Sequence, residues 1–131
     1  MRDAAQWLRD RGIQITPQRL AVAAAVVSST GHPTADQVFA RARRRCPSLS
    51  RATVYNTLNL LVKRKVVRTQ VLKEGKVMFD ANMGQHHHFV DDEDGTIIDI
   101  PWEWLSVEGR ERLKGFEVRE CQVIVRGRRR K

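Results

Sequence analysis

The sequence predicts an α+β chain in two parts: a helical N-terminal part closed by a β-hairpin, and a small strand-rich C-terminal part. Three observations carry this reading. Apolar residues recur at helical spacing behind recognisable helix caps as far as about residue 64, and segments with strand character follow. The charge divides the same way: residues 1–82 hold fifteen Lys and Arg against five Asp and Glu, residues 83–125 four against ten. The division falls between 1–82, a basic part suited to a polyanion, and 83–131, an acidic part suited to cations with a basic tail.

The first amphipathic helix is expected over about residues 2–11, with Ala4, Trp7, Leu8 and Arg11 on one stripe and a stop at Gly12. Thr16-Pro17 reads as an N-cap with proline at the first helical position. The apolar run Leu20–Val27 then forms a largely buried helix ending by Ser28-Ser29-Thr30-Gly31. Thr34 and Gln37 form a capping box for a third helix, which turns Val38, Phe39 and Ala42 inward and ends in Arg43-Arg44-Arg45. Ser50 caps a fourth helix, Arg51 to about Arg64, whose core face is Val54, Leu58, Leu61 and Val62.

Segments Val66–Leu72 and Lys76–Asp80, joined by Lys73-Glu74-Gly75, read as a hairpin. Helices followed by a hairpin are the winged form of the helix-turn-helix, in which the last helix enters the major groove of duplex DNA. Arg51, Thr53, Tyr55, Asn56 and Asn59 lie along the outer side of that helix, and Asn suits adenine as Arg suits guanine. Arg19, Arg51, Lys63, Arg64 and Lys65 are placed to neutralise phosphates.

The stretch Met78–Asp99 contains three of the four histidines and six Asp and Glu. Nitrogen and carboxylate donors without a nearby cysteine suit a divalent first-row metal, Fe2+, Mn2+ or Zn2+. In a strand His86 and His88 share a face and His87 takes the other, so the His-x-His pair can meet one ion, the alternative on spacing alone being a polar, acidic surface loop. Beyond it, Thr96–Ile100 is expected as a strand, Trp102–Lys114 as a helix opened by Pro101 and ended by Gly115, and Phe116–Val125 as a last strand. About 43 residues bury a poor core alone, and exposed strand edges invite a second copy, so a homodimer reading a palindromic operator is expected. The tail GRRRK is expected to be disordered. The charged N-terminus and the two distant cysteines, Cys46 and Cys121, suggest a reducing cytoplasm, and no apolar run long enough for a membrane span is present.

GHPTADQVF, SLSRATVYNTLNLL, KVMFD and HHH together resemble the ferric uptake regulator superfamily of bacterial metal-dependent repressors, over nearly the whole chain. The resemblance implies a dimer, a base-contacting Tyr55 and a regulatory metal site of His32, Asp80, His86, His88 and Asp99. Peroxide-sensing members carry aspartate at the position of Asp80. Asp91 and Asp94 stand at the spacing of the first Cys-x-x-Cys of a structural zinc site, and RRRK where the second pair would follow, so no structural zinc is expected. The missing cysteines and the HHHF stretch look most like the iron response regulator branch, which implies control of iron and haem genes with haem as a further ligand. His87 with Cys121 is the candidate second metal or haem site, against which a small buried strand cysteine is the simpler reading. A regulator, not an enzyme, is expected. A non-haem iron metalloenzyme would use the same ligands but leaves the basic helical part unexplained.

Overall fold

The computed structural model describes residues 3–28, 32–73 and 75–131. The chain divides into two compact units, Met1–Met83 and Gly84–Lys131.

In the first unit the helices are α1 (Ala4–Asp10), α2 (Pro17–Val27), α3 (Ala35–Arg45) and α4 (Arg51–Lys63). Each starts where a short polar side chain can accept an orphan backbone N–H. Asp3 caps α1, Thr16 caps α2 ahead of Pro17, Thr34 and Gln37 close a full capping box on α3, and Ser50 caps α4. The first helix is shorter than expected, although Ala4, Trp7 and Leu8 are buried as the stripe requires. Arg11 instead lies over the Trp7 ring at 4.5 Å, shielding its outer face. Residues 29–31, expected to end the second helix, lie outside the described residues, as does Glu74 of the expected hairpin turn.

One core joins these helices, with Leu8, Val22, Val38, Val54, Leu58 and Leu61 fully buried. Each such side chain contributes about 1.5–3 kcal/mol of transfer free energy. Helix α4 ends in a Schellman turn: Val66 N–H reaches Leu61 O at 3.1 Å, and Lys65 takes the left-handed position with φ 59°. Strands β1 (Arg68–Lys73) and β2 (Lys76–Asp80) then pair antiparallel, with an irregularity in register between Gln70 and Lys73. The wing thus begins at Arg68 rather than Val66. Its return strand is stitched to the start of α3: Phe79 N–H donates to Pro33 O at 2.8 Å, and Thr34 bridges Met78.

The second unit is a three-stranded sheet in the order β4-β3-β5. Strand β3 (His86–Asp91) is central, β4 (Ile97–Pro101) runs antiparallel to it, and β5 (Ile124–Gly127) runs parallel. Three expectations fail here. The helix over Trp102–Lys114 is replaced by two 3-10 turns, Trp102–Trp104 and Arg110–Arg112. Gly109 at φ 86° interrupts the path between them, and Trp104, Val107 and Leu113 stay exposed. A helix draws most of its stability from burying one face, and among the described residues these three side chains are not buried. The last strand is confined to Ile124–Gly127, since residues 116–120 are exposed throughout. The basic tail is engaged rather than loose: Arg128 pairs with Glu93 at 3.3 Å, and Arg129 with Asp94 at 3.1 Å. Among the described residues no helix is long and apolar enough to cross a membrane.

Candidate metal centre and nucleic-acid interface

The candidate ligands fall into two sets, one in each unit. In the first unit, the stitching of β2 to Pro33 brings His32 beside Asp80. Asp80 Oδ1 accepts the Asn82 N–H at 2.8 Å, which fixes the carboxylate, and Oδ2 lies 3.2 Å from His32 Nε2. Both side chains are buried.

In the second unit the register does the work. His88 is the cross-strand partner of Asp99, and His86 lies two residues back on the same face. Asp99 Oδ1 is 3.7 Å from the Nε2 atoms of both His86 and His88. The two rings meet edge to face at 4.6 Å between centroids. His86 Nδ1 lies 2.6 Å from Gly84 O, so the tautomer that donates there turns the Nε2 lone pair toward Asp99. That backbone anchor on the remote ring nitrogen is the usual support of a metal-binding imidazole. Donors held ~2.1 Å from one ion at about 90–120° stand roughly 3.0–3.6 Å apart. The distances of 3.2 Å in one set and 3.7 Å in the other are near that spacing. Hard and borderline N/O donors of this kind suit Fe2+, Mn2+ or Zn2+.

His87 points the other way, as strand alternation requires. The Val123 N–H donates to its Nδ1 at 2.9 Å, so the hydrogen sits on Nε2, 3.2 Å from both Trp102 O and Leu105 O. Its ring stacks on Trp102 at 4.6 Å. Cys121 shares a cavity of about 90 Å³ with His87, but it sits in an irregular segment, half-buried, and not in a strand. With both ring nitrogens bonded to backbone, His87 has no lone pair to give a metal or haem. A metal or haem role for the His87–Cys121 pair would require these backbone bonds to open.

On α4, Tyr55 is 44% exposed, and Arg51, Asn56, Asn59 and Lys63 are exposed beside it. Thr53 is only half-exposed: its N–H and hydroxyl both meet Ser50 Oγ, so it belongs to the helix cap. Arg19 is half-buried and donates to Gln14 O at 3.0 Å, which ties it to the loop ahead of α2. Sequence reasoning passed over Asp36 and Phe39, which hold Arg51, and Asn82 and Gly84, whose backbones orient Asp80 and His86. Asp36 stands exposed in the first turn of α3, while Phe39, expected inward, is half-buried against the core with Arg51 over its ring, so its helical spacing gave no sign of that contact.

Residues 10–126 match the model of the ferric uptake regulator family. The peroxide-responsive repressor PerR of Staphylococcus aureus (strain Mu50) is 31% identical over 122 residues, which is 92% of this chain and 82% of that protein. Among solved structures, the Campylobacter jejuni peroxide stress regulator superposes with a TM-score of 0.67 at 27% identity, covering 97% of this chain and 96% of its own. A zinc-bound manganese uptake regulator superposes with a TM-score of 0.71 at 20% identity, covering 98% and 99%, a likeness of fold. On the family match over nearly its whole length, with a relative above 30% identity, the chain belongs to the ferric uptake regulator family.

Proposed function

We propose that this chain is a metal-dependent, DNA-binding transcriptional repressor that controls iron and haem genes and acts as a homodimer. Residues 1–82 form its DNA-binding part and 83–131 its metal-binding and dimerisation part. The observation that carries the reading is the convergence of His86 Nε2, His88 Nε2 and Asp99 Oδ1 in a chain that also presents an exposed reading face on α4. One Fe2+ or Mn2+ ion, or Zn2+ in vitro, takes His86, His88 and Asp99 from one unit and His32 and Asp80 from the other. Ligands from two units make metal binding select one arrangement of the units, and thereby one spacing of the two recognition helices in a dimer. Dimerisation is supported by exposed Ile98 on one edge strand and Ile124 and Val125 on the other. Tyr55, Asn56 and Asn59 read base edges of a palindromic operator, while Lys63 neutralises phosphate.

A gel shift on the gene's own upstream region tests this. Binding should appear with manganese or iron and fade with chelator. Binding indifferent to metal would refute the proposal.

Peroxide sensing is a second reading, favoured by Asp80 and by the 31% identical relative named as a peroxide-responsive repressor. It requires iron-catalysed oxidation of a ligand histidine, His32 or His86. Mass spectrometry after aerobic iron loading separates the two: a gain of one oxygen on either histidine, absent with manganese, selects it. Haem-dependent release from DNA without that product selects haem response, through His86 or His88.

A further inference from the structure

We propose that Arg51 reads a guanine in the operator and that Asp36 and Phe39 are the positioning residues that hold its guanidinium for the purpose. The inference rests on the DNA-binding reading above and assigns Arg51 a role different from phosphate neutralisation.

The first observation is electrostatic. Arg51 is the first residue of α4, directly after the Ser50 cap. A helix N-terminus carries partial positive charge and disfavours a cation there. A residue set against the local preference needs a compensating contact, and such conflicts concentrate at functional positions. Here the compensation is Asp36, in the first turn of α3, where a carboxylate is favoured. Arg51 Nη1 donates to Asp36 Oδ1 at 2.5 Å.

The second observation is stacking. The Arg51 guanidinium carbon lies 4.6 Å from the centre of the Phe39 ring, and that of Arg43 lies 5.3 Å from the same ring. A carboxylate at one end and an aromatic face beneath leave the planar fork little freedom to turn. The pair is nonetheless open to solvent, with 61% of the Arg51 side chain and 72% of Asp36 exposed. Exposed ion pairs add little to stability. What the arrangement supplies is orientation.

The third observation is place. In a helix-turn-helix the N-terminal residues of the second helix meet base edges. Arg51 stands one turn before exposed Tyr55 on the same helix, at the end that enters the groove first. A guanidinium has five donors, and the contact with Asp36 uses one. Donors remain for the O6 and N7 acceptors of guanine, the pairing that suits a rigid fork. A side chain already neutralised by a carboxylate is, by contrast, a poor phosphate clamp. Among the described residues, Arg43 and Arg44 line the same groove without a carboxylate contact and are the candidates for the backbone.

The test uses full-length, metal-loaded protein. Selection from random duplexes with the wild type defines the preferred palindrome. Selection is then repeated with Arg51→Ala, Arg51→Lys and Asp36→Ala, and thermal melts check that each variant folds. The expected result is loss of preference at one guanine per half-site in Arg51→Ala, worth roughly 5- to 150-fold in discrimination. Arg51→Lys should fail to restore it, and Asp36→Ala should blur the same position. On operators with that base pair replaced, wild type and Arg51→Ala should bind alike. A salt dependence shallower by about one unit in Arg51→Ala, with base preference unchanged, would make Arg51 a phosphate contact and overturn the proposal. Unchanged binding in all three variants would overturn it too. A wild type that selects no motif would overturn the DNA-reading function itself, and this inference with it.

Discussion

Arg129 donates to Asp94 Oδ2 at 3.1 Å across a separation of 35 residues. It also donates to Thr96 Oγ1 at 2.9 Å and lies 3.7 Å from Asp91, while Arg128 reaches Glu93. Gly127 O accepts the Asp92 N–H at 2.8 Å, so the tail runs directly from β5 into this clasp. Ion pairs thus join the acidic turn after β3 to the basic tail after β5.

The clasp predicts salt and pH sensitivity in the second unit. Both Arg129 and Asp94 are about half exposed, so salt screens their attraction. Arg129→Ala should lower the thermal midpoint, and added sodium chloride should erase the difference between variant and wild type. The Thr96 backbone N–H, then its hydroxyl, and the charge of Arg129 hold the Asp94 carboxyl below its ordinary value of 3.8. A depressed carboxyl stabilises the fold fully above 3.8 and loses that contribution as pH falls through the folded value. Acid melts between neutral pH and pH ~3 should show the Arg129→Ala difference shrinking at the low end. A difference independent of both salt and pH would argue against an ionic clasp.

His87 predicts a purely structural phenotype. Its ring bridges the backbone of Val123 to those of Trp102 and Leu105, and it is 1% exposed. His87→Ala should cost about 2–4 kcal/mol in urea unfolding, from orphaned backbone groups and a cavity. Metal stoichiometry should be unchanged in the folded fraction. A lost metal equivalent would return His87 to the list of ligands.

Lys65 predicts a gain. A non-glycine residue in the left-handed region costs about 1–2 kcal/mol, and Lys65 occupies the position that closes α4. Lys65→Gly should raise stability by about 0.5–1 kcal/mol, part of the relief being lost to the freer unfolded chain. Denaturant melts decide the sign, and a destabilised variant would show that the Lys65 side chain makes a compensating contact.

The first unit was legible because its signals are local. Thr16-Pro17, the Thr34–Gln37 box and Ser50 mark helix starts within four residues, and Val54, Leu58 and Leu61 mark the buried face of α4. In the metal stretch, strand alternation alone separated His86 and His88 from His87. The remainder of the second unit failed for the opposite reason. Trp104 and Leu113 suggest an amphipathic helix only if something covers them, and among the described residues both stay exposed. The pairing of the tail with the acidic turn spans 35 residues, so no local pattern announces it, although the complementary charges of DDED and RRRK were a usable sign.

The central claim is that a metal held by His86, His88 and Asp99, with His32 and Asp80, sets DNA affinity. Fluorescence anisotropy on the selected operator, with manganese and then with chelator, tests it most directly in wild type, Asp99→Ala and His88→Ala. The account predicts that chelation weakens wild-type binding by roughly 5- to 150-fold, the usual range of allosteric coupling. Both variants should bind as the chelated wild type does, with circular dichroism confirming their fold. Equal wild-type affinity with and without metal, or full metal response in a folded Asp99→Ala, would contradict it.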